Sequence, residues 1–138
     1  MIIASFDGKY RFLSNFYNSD ITFKNITYKN AEAAFHAQKV FGEDRKQFAN
    51  LNPSEAKRLG RRVPLRKDWE EVKDEIMHEI VQAKFEQNPV LAKWLLNTGE
   101  AELIEGNTWN DRYWGVCAGI GQNKLGKILM QVRSSLKV

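Results

Sequence analysis

The sequence predicts a single α+β domain over residues 1–138, helix-rich, with a small β-hairpin or sheet. Three observations predict it. Ile21–Tyr28 (ITFKNITY) alternates apolar and polar positions on either side of Lys24-Asn25, the period of two short antiparallel strands. Capped segments between Asn30 and the C-terminus then repeat apolar residues at helical spacing. No repeat, low-complexity tract or linker divides the 138 residues, a length suited to one domain with a core of its own.

In chain order, Tyr10–Tyr17 (YRFLSNFY) mixes aromatics with Ser14 and Asn15, whose side chains favour turns. In the hairpin, Ile21 and Phe23 face Ile26 and Tyr28, and Lys-Asn is a weaker turn than Asn-Gly. Asn30 caps a helix begun by Ala31, Glu32, Ala33 and Ala34. Its stripe Ala33, Ala37, Val40, Phe41 suits the core. Asn52-Pro53-Ser54-Glu55 combines a cap, a first-turn proline and a capping-box glutamate, with Gly60 as the stop. Asp68 caps the longest helical run, where Trp69, Val72, Ile76, Ile80 and Ala83 recur beside Met77, Val81 and Phe85. Asn88-Pro89 ends that run and starts another with Leu91, Leu95 and Leu96 inward, closed at Thr98-Gly99. Ala101–Glu105 reads as a short strand and Gly106–Gly121 as a polar, aromatic loop. The last helix buries Leu125, Ile128, Leu129, Val132 and Leu136.

Composition narrows the chemistry. A single cysteine, Cys117, excludes an internal disulfide, and with His36 and His78 as the only histidines a structural zinc site has no support. No signal peptide and no apolar run of about 18 residues is visible, which points to a soluble, cytoplasmic protein of a reducing compartment without membrane partners. The formal charge of +4 suits phosphorylated ligands or nucleic acid. The basic residues cluster at Lys57–Lys67 (KRLGRRVPLRK).

Several motifs are decoys. Gly121–Lys127 satisfies GxxxxGK, but Ile128 stands where a P-loop needs Ser or Thr. GxGxxG, HExxH, paired CxxC and GxSxG are absent. Cys117, with no histidine placed beside it, reads as a buried core residue.

Glu32 and Lys39 are seven residues apart, about 20° short of two full turns, so a continuous helix sets them on one stripe with Phe35 and His36 between. Such a face lines a pocket or, in the plainer reading, lies in solvent. Gly121-Gln122-Asn123 at a helix start offers either an anion site or simple capping. Asp111, between Trp109 and Trp114, either faces a planar ligand or closes an Asx turn.

Taken together, FLSNFY (Phe12–Tyr17), AEAAFHAQK (Ala31–Lys39), LRKDW (Leu65–Trp69), KF (Lys84–Phe85), LLNTG (Leu95–Gly99), LIE (Leu103–Glu105), WNDRYWG (Trp109–Gly115) and GIGQNKLGKILMQVR (Gly119–Arg133) resemble the NADAR, or YbiA-like, superfamily. The likeness runs in order through nearly the whole chain. It implies a NADAR/YbiA-like fold and hydrolysis of N-glycosidic bonds of ribosyl compounds. Two substrate classes are implied: phosphoribosylamino-pyrimidine intermediates of riboflavin biosynthesis, and ADP-ribose on guanine bases in nucleic acid. Glu32 and Lys39 match the family's acidic and basic helix positions, Asp111 the aspartate before its WG, and Asn123 the asparagine of its GxNxLG. Val116-Cys117-Ala118 departs from a more glycine- and aspartate-rich loop in many relatives, which bears on substrate choice.

Cleavage of a ribosyl C–N bond builds positive charge on the sugar and needs either a proton for the leaving nitrogen or a nucleophile for the sugar carbon. On this resemblance Glu32 is the charge-stabilising or general-base carboxylate. Lys39 donates a proton, binds phosphate, or forms a Schiff base with the ring-opened sugar. Asp111 holds ribose hydroxyls or shares the acid–base role. Phe12, Phe16, Trp69 and Trp114 are candidates to stack on the base. Arg11, Ser14, Asn15, Gly121, Gln122 and Asn123 are candidates for phosphate and ribose contacts. No metal or cofactor is required. The preferred expectation is an N-glycosidase of a small phosphorylated ribosyl substrate. ADP-ribosylated guanine in nucleic acid is the alternative, and a non-catalytic ADP-ribose or nucleotide-binding module is the third reading. Oligomeric state is left open.

Overall fold

The computed structural model describes residues 1–136. They form two compact units, Asn15–Asn88 and the combination of Met1–Ser14 with the chain from Pro89 onward.

The Asn15–Asn88 unit starts with the predicted hairpin, strands β2 (Asn18–Phe23) and β3 (Ile26–Asn30), following a two-residue strand β1 (Ile2–Ile3) of the other unit. Ile21 opposes Tyr28 and Phe23 opposes Ile26, as the alternation requires. Lys24 and Asn25 both take positive φ, 50° and 71°, the geometry that matches a two-residue loop to the strand twist. Ile21 and Tyr28 are fully buried, and burial raises the Tyr28 pKa.

Helix α1 (Ala31–Ala37) leaves β3 without a linker. The Asn30 side chain caps it by accepting from the Ala33 N–H at 2.7 Å, while its Nδ2 donates to the Leu51 carbonyl at 3.1 Å. Ala31, Ala33, Ala34 and Ala37 are fully buried, and α1 packs against α2 (Pro53–Gly60) and α3 (Trp69–Gln87). The predicted capping box of α2 is present, with Asn52 and Glu55 each bonding the other's backbone. Along α3, Ile76, Met77, Ile80, Val81 and Phe85 are buried, whereas Val72 and Ala83 are half-buried. At its end the Gln87 amide pairs with the Thr22 backbone through two 2.8 Å bonds, satisfying polar groups on the edge of β2.

Two expectations fail in this unit. Phe41 is 59 % exposed rather than core. Arg66 and Arg45 cover its ring at 4.6 and 5.6 Å, so the ring supports cations at the surface. Asp68 stands at the N-cap of α3 without capping it through its side chain, because Arg66 holds both carboxylate oxygens at 2.6 and 3.0 Å. That ion pair lowers the Asp68 pKa.

In the other unit, β1 pairs in parallel with β4 (Glu102–Leu103), and β5 (Gly106–Asn107) pairs in parallel with β6 (Val116–Cys117). Helix α4 (Pro89–Asn97) packs on α5 (Lys124–Leu136). Leu91, Leu95, Leu125, Ile128, Leu129 and Val132 are buried, each fully buried aliphatic side chain contributing about 1.5–3 kcal/mol. Leu96 and Leu136 are half-buried. Arg133, which lies outside the apolar stripe of α5, is buried and donates to the Thr98 hydroxyl at 2.8 Å. Cys117 is half-buried in β6 instead of lying in the core.

Candidate functional site

Within Asn15–Asn88, the predicted acid and base come from a helix start and the turn that follows the helix. Glu32 sits in the first turn of α1, where the helix dipole favours a carboxylate, and its backbone N–H donates to the Asn15 carbonyl at 3.1 Å. The helix ends at Ala37, so Lys39 lies beyond it and the two-turn stripe is interrupted. Hydrogen bonds from Gln38, Lys39 and Val40 back to residues three earlier tighten this turn. The Glu32 charge still raises the Lys39 pKa, against the effect of burial. Neither is a solvated surface charge: both are partly buried.

The surroundings are specific. Lys39 Nζ donates to the Gly60 carbonyl at 3.2 Å and lies 5.8 Å from the centre of the Trp69 ring. Burial lowers its pKa, the Glu32 carboxylate partly reverses that, and Arg61 and Lys73 lower it further. Glu32 Oε2 is 3.0 Å from His36 Nε2. His36 was on the predicted stripe without a role; the i, i+4 spacing from Glu32 is the signal that pairs them. Gly60, read as a helix stop, is the last residue of α2 and faces the His36 ring, an arrangement that no local pattern announces.

Trp69 is only 5 % exposed and lies 5.0 Å from Phe35, centre to centre. It is a wall beside Lys39, and little of it is open for stacking on a base. Asn15 is likewise buried: its Nδ2 reaches Met77 Sδ at 3.4 Å, and its Oδ1 is buried without a hydrogen-bond partner. Phe16 is 44 % exposed and keeps ring surface accessible. In the basic run, Arg58, Arg61, Arg62 and Lys67 are exposed.

The second unit carries the remaining predicted residues. Asn107 grips the backbone of Asp111 from both sides, donating to its carbonyl at 2.9 Å and accepting from its N–H at 3.0 Å. Asp111 Oδ1 accepts from the N–H groups of Tyr113 and Trp114 at 3.2 and 3.0 Å. The turn reading of Asp111 is therefore present in the structure, and Oδ2 takes no part in those bonds. Trp114 is half-buried, edge-on to Tyr113 at 4.9 Å.

The anion-site reading of the α5 start does not survive. The N–H groups of Gln122, Asn123, Lys124 and Leu125 donate to the carbonyls of Arg112, Gly115, Tyr113 and Trp114 at 2.8–3.2 Å. With those donors taken by a loop, capping is what the terminus does. Asn123 is a clamp: its Oδ1 accepts from the Glu105 N–H at 2.9 Å and its Nδ2 donates to the Leu103 carbonyl at 2.9 Å. Gly121 is needed for close approach, since a Cβ there would come within 2.1 Å of the Gly115 carbonyl oxygen. Gln122 is exposed. Phe12 is buried edge-on against Trp94 at 5.5 Å, so it is a core ring and not a stacking platform. Arg11 is exposed and Ser14 half-buried, with the Ser14 N–H donating to the Arg11 carbonyl. Among the described residues no group of three or more His, Cys, Asp or Glu side chains is arranged to hold a metal ion, and no helix is long and apolar enough to cross a membrane.

Comparison with known proteins places this geometry in a family. The NADAR domain profile matches residues 4–137. The N-glycosidase YbiA of Escherichia coli (strain K12) is 41% identical over 130 residues, covering 91% of this chain and 81% of that protein. A protein named N-glycosidase from Nostoc punctiforme is 36% identical over 136 residues, 93% of this chain and 86% of its own length. The Vibrio vulnificus riboflavin biosynthesis protein VVA0006 is 39% identical over 95% of this chain, which spans 37% of that longer protein. The NMR structure of E. coli YbiA superposes with a TM-score of 0.85 at 38% identity, covering 99% of this chain and 83% of that one.

Proposed function

Since the chain belongs to the NADAR domain family, we propose that it is an N-glycosidase, a hydrolase of N-glycosyl compounds in riboflavin-related metabolism. The substrate class is a small phosphorylated ribosyl compound, specifically a phosphoribosylamino-pyrimidine. Relatives named N-glycosidase and riboflavin biosynthesis protein support the reading. The whole chain acts as one NADAR domain, supported by a family match that runs through residues 4–137. It works in the cytoplasm, in keeping with a single unpaired thiol.

The observation that carries the chemistry is the Lys39 amine, partly buried, held by the Gly60 carbonyl and kept by burial below its ordinary pKa against the opposing charge of Glu32. A lysine so tuned releases its proton more readily than a solvated one. It can protonate the departing exocyclic amino nitrogen of the pyrimidine, or add as the free amine to C1′ of the ring-opened sugar. In the second route the C1′–N bond breaks as the leaving nitrogen takes a proton, and water then hydrolyses the Lys39 imine. Glu32 stabilises positive charge on the sugar or takes the proton from water. Phe16 is the candidate ring of this unit with surface for a base, and Asp111 of the other unit keeps one carboxylate oxygen outside its turn. The reaction uses side chains alone.

The second reading, removal of ADP-ribose from guanine in nucleic acid, is favoured by one observation, the exposed Arg58, Arg61, Arg62 and Lys67. Purified protein incubated with ribosylaminopyrimidine phosphates and, in parallel, with ADP-ribosylated guanine DNA separates the two. Ribose phosphate released only from the first supports the preferred substrate; ADP-ribose released only from the second replaces it. No turnover of either overturns the catalytic reading.

A further inference from the structure

We propose that His36 is a positioning residue for Glu32, and that position 60 must be glycine to admit the His36 ring. The inference rests on the catalytic reading of Glu32 above and deepens it.

The geometry is a two-point clamp on the imidazole. At one end, His36 Nε2 lies 3.0 Å from Glu32 Oε2, with only 10 % and 14 % of the two side chains exposed. At the other end, Nδ1 is buried with no hydrogen-bond partner. It lies against Gly60 so closely that a Cβ there would come within 2.2 Å of Nδ1 and 2.7 Å of Cγ. Phe35 flanks the ring, centres 5.6 Å apart at 70°.

The tautomer follows from these neighbours. An ionised carboxylate only accepts hydrogen bonds, so Nε2 carries the proton and donates it. A second proton on Nδ1 would be a buried donor facing Gly60 without an acceptor, which is unfavourable. His36 thus aims its Nε2–H at Glu32, with Gly60 packed against the opposite edge of the ring. Because Oε2 is engaged, Oε1 is the oxygen left to act on the sugar. The same Gly60 offers its carbonyl to Lys39, so one residue sets the position of both proposed catalytic groups, one directly and one through His36. Holding reacting groups to within a fraction of an ångström is worth large factors in rate.

The test compares wild type, His36→Phe, His36→Gln and Glu32→Gln on ribosylaminopyrimidine phosphate, with ¹⁵N NMR of His36 in the unliganded wild-type protein. His78, the only other histidine, is removed to assign the signal. The expected result is a fall in kcat of about tenfold or more in His36→Phe with KM within about threefold, and recovery of most of it in His36→Gln, which still offers an N–H. NMR should show the proton on Nε2. Full kcat in His36→Phe beside an inactive Glu32→Gln would overturn the proposal alone, as would a proton on Nδ1. Full turnover by Glu32→Gln would instead remove the catalytic reading on which it stands.

Discussion

The Gly60 carbonyl accepts the Lys39 amine at 3.2 Å, and the missing side chain of Gly60 is filled by the His36 ring. A backbone position at the end of α2 therefore governs two side chains from another segment. Gly60→Ala should displace the ring and lower stability by about 1–3 kcal/mol, the usual range for overpacking. Chemical denaturation checks the stability, and kcat should fall more than in a surface control such as Lys67→Ala. A Gly60→Ala protein as stable and active as wild type would contradict the packing.

Glu32 and Lys39 are the groups whose removal should stop hydrolysis without unfolding the protein. Glu32→Gln keeps an oxygen for His36 but no charge, and Lys39→Ala removes the amine. Each should reduce kcat by at least about 100-fold, with the melting temperature within a few degrees of wild type. Borohydride added during turnover should attach a sugar to Lys39 if the imine route operates. Absence of the adduct, with activity intact, assigns Lys39 to proton donation.

Asp111 can be tested for turn and chemistry separately. Asp111→Asn retains Oδ1 for the Tyr113 and Trp114 amides and should leave stability nearly unchanged. Asp111→Ala removes both bonds and should cost about 1–3 kcal/mol. A large loss of kcat in the Asn variant then reports a chemical role. Equal activity in Asn and wild type reduces Asp111 to a turn residue.

Lys84 is 1 % exposed, and burial pushes its pKa down from 10.5 to about 7. The unfolded chain keeps this proton up to about pH 10.5, while the folded protein releases it near pH 7. Unfolding between those values therefore takes up a proton, and stability rises with pH across that window and is level below it. The slope from this one group is about 1.4 kcal/mol per pH unit. Urea titrations from pH 7 to 9.5 should show it in wild type and lose that contribution in Lys84→Met. Identical slopes in the two proteins would show that Lys84 keeps an ordinary pKa when folded.

The hairpin, the capping box of α2, the Asn30 cap and the apolar stripe of α5 were legible because each is a local rule written in a few adjacent residues. Alternation fixes a strand face, a cap bonds amides two or three residues away, and a helical stripe repeats at a known period. The resemblance likewise carried the family, since its motifs are ordered along the chain. Of the proposed catalytic pair, the sequence reading put Glu32 and Lys39 on one continuous helix, whereas α1 ends at Ala37.

What only the tertiary structure decided depends on which neighbours the fold brings within reach. Asp68 looks like a cap until Arg66 takes its carboxylate, and Phe41 looks like core until two arginines cover it. The helix start at Asn123 looks like an anion site until the carbonyls of residues 112–115 occupy its amides. Nothing near Gly60 announces that His36 fills the space beside it. By itself the sequence determined the hairpin, the capped helix starts and which ionisable groups were available. Packing decided how those groups are used, because a hydrogen-bonding group has few bonds to make and the fold chooses which neighbour reaches it first.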